Sequence, residues 1–110
     1  MRIVLDPAAP QPVGLVDLDV LTAFDVAVPA GTTAAEAAAV LGGVGELDPR
    51  GEDLAGAHVR VRLDWLRGTA HAGGAGPGWD ERFDAMIDYA RSKGWVDDAA
   101  GTVRAHVAVG

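Results

Sequence analysis

The sequence predicts an α+β domain: two helices on one face of a mostly antiparallel sheet, in the order strand, helix, strand, strand, helix, strand. Three observations lead there. From His58 to Arg67 (HVRVRLDWLR) apolar and polar residues alternate, with Val59, Val61, Leu63 and Trp65 on one side of an extended chain. His58, Arg60, Arg62 and Asp64 fall on the other side. The same period of two recurs between Val16 and Val28 and again from Thr102 to Val109. Between these segments lie two stretches spelled as helices. A sheet of this kind turns one face to a core and the other to water, a partner or a ligand.

The elements follow in order. RIVL at residues 2–5 is a short strand or an ordered arm, and Pro7, Pro10 and Pro12 make 6–14 a turn or linker. Residues 1–15 are thus read as an N-terminal arm or short strand, and 16–110 as a single α+β domain. Val16, Leu18, Val20, Phe24, Val26 and Val28 share one parity, which predicts a strand over at least Leu21–Val28 that Pro29 ends. Thr33-Ala34-Ala35-Glu36 spells a capping box, Ala34–Leu41 has high helix propensity, and Gly42-Gly43 supplies a left-handed stop. Val44–Leu47 reads as a short edge strand, and Asp48-Pro49-Arg50-Gly51 as a turn.

After the His58–Arg67 strand, residues 68–78 (GTAHAGGAGPG) are too glycine-rich for regular structure and read as a flexible crossover. The second helix starts near Asp80, with Trp79, Phe83, Met86, Ile87 and Ala90 on one face. Acids crowd its first turn, while Arg91 and Lys93 sit in its last, as the helix dipole favours. Gly94 followed by Trp95 suits a C-cap, and 97–101 is a turn. The final strand sets Val103, Ala105, Val107 and Val109 against Arg104, His106 and Ala108.

This order is the split βαβ, or ferredoxin-like, arrangement. A competing arrangement pairs Trp95–Val96 with Val103–His106 as the wing of a winged-helix domain, though one helix and two long alternating segments are a poor start for that fold.

Composition narrows the function classes. The chain has 110 residues, 49% of them hydrophobic, enough for one domain with a real core. Sixteen acids against nine Lys plus Arg give a net charge of −7, which argues against a nucleic-acid partner. There is no cysteine, so thiolate chemistry and disulfides are excluded. No apolar run suits a signal peptide or a membrane span, so a cytoplasmic location and no membrane partner are expected. Heavy use of Ala, Gly, Val, Asp and Arg, with Lys93 the only lysine, matches high-GC bacterial coding.

In a ferredoxin-like sheet Asp25 stands between Arg60 and Arg62 on one neighbouring strand and Arg104 and His106 on the other. Opposite charges interleaved on an exposed face contribute little to stability. The same face also suits recognition, because the planar fork of Arg pairs well with carboxylates. Arg60, Arg62, Arg104, His58 and His106 are therefore the candidate ligand- or partner-binding residues. A catalytic pair would need a His held by a carboxylate, His106 with Asp25 (or Asp64). His58, His71 and His106 lack metal-ligand spacing, and no phosphate loop is spelled, so no metal and no cofactor are expected. Trp65 and Trp79 lie on apolar parities and read as core, so that Trp65→Ala is expected to cost about 3–5 kcal/mol.

Two functions fit this face. One is a small non-catalytic binding domain that self-associates, as a possible homodimer, or takes a protein partner through the sheet face or a strand edge. The other is a cofactor-independent enzyme or small-molecule-binding protein of the dimeric α+β barrel type. There His106, Arg104, Arg62 and Asp25 would be the polar groups and 68–78 a lid carrying His71.

Overall fold

Strand β7 (Thr102–Val109) organises the molecule, because neighbours pair along both of its flanks. The computed structural model describes residues 1–48 and 54–110. The described residues add strands β1 (Arg2–Leu5), β2 (Val13–Val16), β3 (Asp25–Val28), β4 (Gly45–Asp48), β5 (His58–Arg62) and β6 (Val96–Asp97). Helices α1 (Ala34–Leu41), α2 (Leu63–Ala72) and α3 (Trp79–Ser92) complete them, with a 3-10 turn at Gly42–Val44. The predicted turn at Asp48-Pro49-Arg50-Gly51 falls almost wholly outside the described residues.

The strands form one curled mixed sheet in the order β2-β1-β3-β7-β5-β4. β1 runs parallel to β3 and β3 parallel to β7, while β5 is antiparallel to β7 and β4 to β5. The α+β class is as predicted, but the ferredoxin-like strand order is not what forms. That order would set β3 directly against β5. Here β1 takes one edge of β3 and β7 takes the other, so β5 is displaced to the far side of β7. The hairpin of the competing arrangement does form, as β6 pairs Val96 with Val103 and Asp97 with Thr102. β7 is central in the sheet, however, so the hairpin is not a wing.

Parity works where strands are real. Ile3, Leu5, Val26, Val28, Val59, Val61, Val103, Ala105 and Val107 are buried on one face. Against them pack Ala37 and Leu41 of α1, Leu66 and Ala70 of α2, and Trp79, Phe83 and Ile87 of α3. Trp79 and Phe83 stack with ring centres 4.8 Å apart. Trp79 Nε1 donates to the Leu18 carbonyl at 2.8 Å, which satisfies its one polar atom and ties the 17–24 segment to α3.

The local signals at helix ends hold. Thr33 Oγ1 accepts from the Glu36 amide at 3.1 Å and Glu36 Oε1 accepts from the Thr33 amide at 2.9 Å. After α3, Gly94 takes φ 78°, and the Trp95 amide reaches back to the Ala90 carbonyl at 3.0 Å.

Three sequence assignments are corrected. The predicted strand Leu21–Val28 is extended only from Asp25, because Asp17 at φ 54° ends β2 in a turn and breaks the apparent alternation. The His58–Arg67 strand stops at Arg62, whose partner Thr102 is the first residue of β7; past that pair only the Leu63 amide still reaches across, to the Gly101 carbonyl at 2.9 Å in the 97–101 turn. Leu63–Ala72 coils instead as α2, burying Leu66 and Ala70 at helical spacing and leaving Trp65 half-buried. His71 accordingly lies in the last turn of a helix, not on a flexible crossover. Its Nε2 is 3.0 Å from Asp80, and Arg67 bridges α2 to Asp80 and Asp84 of α3. Gly45 has a packing role in β4, since a Cβ there would stand 2.1 Å from the Arg60 carbonyl oxygen. Only glycine lets β4 approach β5 at that point.

The helical assignment of 63–72 has a direct test. Leu66→Ala should cost about 2–5 kcal/mol by denaturant unfolding, and more than Trp65→Ala. A change within about 0.5 kcal/mol at Leu66, the surface behaviour a strand would give it, would contradict the helix.

Candidate functional site: the open sheet face

With the core residues of each strand turned to the helices, their neighbours in sequence line the opposite face. Register brings five polar side chains into one row across the sheet: Arg2 on β1, Asp25 on β3, His106 on β7, His58 on β5 and Asp48 on β4. A second row is Arg104, Arg60 and Glu46, and a third is Asp97, Thr102 and Arg62. Towards the other end the face turns apolar, with Val4 beside Ala27 and Ala108.

The face does gather Asp25, His106, His58, Arg60, Arg62 and Arg104, but not as the ferredoxin-like order implied. Asp25 stands between Arg2 and His106, and Arg60 and Arg62 are two strands away. Arg2 holds Asp25 in a two-pronged pair, Nε to Oδ1 and Nη2 to Oδ2, both 2.8 Å. Arg60 Nε donates to Asp48 Oδ2 at 2.8 Å. Sequence reasoning missed Arg2 and Asp48 as members of the site. The alternation of Arg2 with Ile3 and Leu5 was the available signal for the first.

The protonation states follow from these contacts. The hydrogen bond from Arg2 holds the Asp25 carboxyl below its ordinary range, and Arg60 does the same for Asp48. His58 is pushed below the usual imidazole value, chiefly by partial burial, then by the charges of Arg104 and His106, with Asp48 opposing. Arg104 Nη2 lies 3.2 Å from His58 Nδ1. A guanidinium can only donate, so that nitrogen carries the lone pair and the ring is neutral with its proton on Nε2. The rings of His58 and His106 meet edge to face at 5.7 Å.

This arrangement does not assemble the catalytic pair. Asp25 is committed to Arg2, no hydrogen bond among the described residues joins it to His106, and Asp64 lies in α2. No group of three or more His, Asp or Glu among the described residues could hold a metal ion. What the face offers is cations. Among the described residues no carboxylate is within ion-pair distance of Arg62 or Arg104. Two clefts of about 320 and 300 Å³ meet at Arg60 and Thr102; Arg104 lines the first and Arg62 the second.

No helix of the described residues is long and apolar enough to cross a membrane. Comparison with protein-family models, with curated proteins and with solved structures returns no match.

The histidine contact predicts a titration. By NMR, His58 should lose its proton at a lower pH than a free imidazole, and Arg104→Gln should shift that midpoint upward. Because the folded-state value is the lower one, the unfolded chain binds this proton first, so the site's contribution to stability falls as pH drops through the ordinary imidazole value. An ordinary His58 midpoint, unmoved by Arg104→Gln, would refute the contact.

Proposed function

We propose that this chain is a non-catalytic binding module that self-associates through its open sheet face. One observation carries the reading: the charge pattern of that face complements itself under a twofold axis along β7. The polar row Arg2, Asp25, His106, His58, Asp48 is centred on β7, two polar residues on either side, with β2 as a further strand beyond β1. Stacking a second copy about that axis sets Arg2 over Asp48 of the other copy, Asp25 over the Nε2–H of the neutral His58, and His106 over its own counterpart. In the third row it sets Arg62 over Asp97, which supplies a carboxylate that Arg62 lacks among the described residues of its own chain. Arg60 meets the ring of Trp95, a favourable cation–π partner. One contact opposes the arrangement, Arg104 against Arg104.

The same geometry sets the strength. Six strands at about 4.8 Å spacing make a face roughly 24 Å wide, smaller than a standard stable interface. Its apolar part is small, Val4, Ala27 and Ala108 with Val16 beside Arg2, while charged pairs give specificity more than affinity. A weak, reversible, salt-sensitive dimer is the consequence. A strand edge is the competing route, through β2 or β4 at the two ends of the sheet.

Sedimentation equilibrium or light scattering tests this. The expected result is a monomer–dimer equilibrium that weakens as salt is raised, and that Arg62→Glu weakens at least tenfold without changing the circular dichroism. A strict monomer at millimolar concentration, or a dimer indifferent to both salt and Arg62→Glu, overturns the proposal; the second outcome assigns pairing to an edge. The alternative of a small-molecule-binding protein finds separate support in a groove beside Arg104.

A further inference from the structure

The flank of β7 that faces β3 is shared by two strands that do not meet. β6 pairs with Thr102 and Val103, and β3 takes over only at His106. Between them the Arg104 amide bonds to the Trp95 carbonyl at 2.9 Å, and no strand fills the seam. A groove of about 450 Å³ opens there. Leu21 and Phe24 form one wall, Trp95 the other, and Met86 and Tyr89 of α3 the floor.

This groove has the make-up of a ligand site. Its volume is within the range of small-molecule pockets, and its lining is apolar and aromatic. Tyr89 and Trp95, 59% and 42% exposed, meet edge to face at 6.2 Å and present aromatic surface to whatever enters. Arg104 is the one charged residue of the lining, and it has no carboxylate partner among the described residues. Trp95 and Arg104 also line the polar 320 Å³ cleft, so an apolar compartment and a cationic one join at this pair. Neither acid of that cleft pairs with Arg104: Asp98 is held by Arg91 at 2.9 Å, and Asp97 Oδ1 accepts from the Ala99 and Ala100 amides at 3.1 Å. In a chain of net charge −7, an unneutralised Arg at the mouth of an aromatic groove selects for an anion with an apolar body.

We propose that the seam between β3 and β6 binds a small aromatic carboxylate, its ring between Phe24, Tyr89 and Trp95 and its carboxylate on the Arg104 guanidinium. The assignment uses one copy of the chain and does not depend on pairing of two. Arg104 Nη2 donates one N–H to the neutral His58 at 3.2 Å, and its remaining N–H groups can give a planar carboxylate two parallel hydrogen bonds that an uncharged ligand of the same shape answers less well.

1-Naphthoate and its neutral isostere 1-naphthamide serve as probes, titrated into isotopically labelled protein at a concentration where light scattering reports a monomer. The tryptophan indole signals are assigned with Trp95→Phe. Naphthoate should bind saturably and move the Trp95 signal, at least tenfold tighter than naphthamide. Arg104→Gln should reduce naphthoate to the level of naphthamide, while Tyr89→Ala weakens both and Arg62→Gln weakens neither. Equal affinity for acid and amide, an unchanged affinity in Arg104→Gln, absence of saturable binding, or shifts centred on Arg62 would each overturn the assignment. Arg104 and Tyr89 are exposed, so these variants keep the fold, and a null result is not a folding failure.

Discussion

The parity of β7 is the constraint on which the rest of the molecule depends. Its eight residues pair with β5 along one flank and with β6 and then β3 along the other. Val103, Ala105 and Val107 therefore fix the level of the core for strands on both sides, and a slip of one residue would exchange the core and charged faces everywhere at once. The parallel β1–β3 pair, the antiparallel β4–β5 pair and all three helices are positioned relative to this strand. Arg104 and His106 are exposed for the same reason that Ala105 and Val107 are buried.

The charged face is a consequence of that parity, and its electrostatics are unbalanced. Arg60 and Arg104 are direct cross-strand neighbours, an unfavourable placement for like charges. Asp48 neutralises Arg60, but Arg104 is left with a neutral imidazole as its hydrogen-bond partner. Such an arrangement contributes nothing to folding that two uncharged residues would not. The acids elsewhere do find partners: Asp80 and Asp84 with Arg67, Asp88 and Asp98 with Arg91, Asp19 with Arg82. Among the described residues the cations outside this face are drawn into intramolecular contacts, with Lys93 over the Tyr89 ring, while Arg62 and Arg104 on this face have no carboxylate within ion-pair distance. The recognition role proposed for the face rests on that difference more than on the presence of arginine as such.

How much of this was legible in the sequence depends on which forces decide each element. The capping box at Thr33, the glycine stop at Gly94 and the alternation within 58–62 and 102–107 are local signals, and the structure follows them. The order of strands is not local. Nothing in RIVL announces that β1 will run parallel to β3 and so push β5 to the other side of β7. The end of β5 is likewise decided at a distance, by where β7 begins. Leu63, Leu66 and Ala70 carried helical spacing, but the adjoining strand pattern ran on through Trp65 and masked it. For the site, parity alone found five arginine and histidine residues, while Arg2 and Asp48 needed the register.

The seam beside Arg104 follows from the same economy of construction. A strand of eight residues is longer than any neighbour on its β3 flank, since β3 has four residues and β6 has two. Those two reach β7 from opposite ends of the chain, β3 after the turns that Asp17 begins and β6 directly after the cap of α3. Neither can be extended to close the gap. Phe24 precedes β3 and Trp95 precedes β6, and both turn apolar surface towards it. A longer β6 would have covered Arg104 and completed the sheet at the cost of the groove. The fold instead leaves backbone order on both sides of an opening and places Phe24, Trp95 and Arg104 around it, and Arg104 has no carboxylate partner among the described residues, which is why the opening is proposed above as a pocket and not a packing defect.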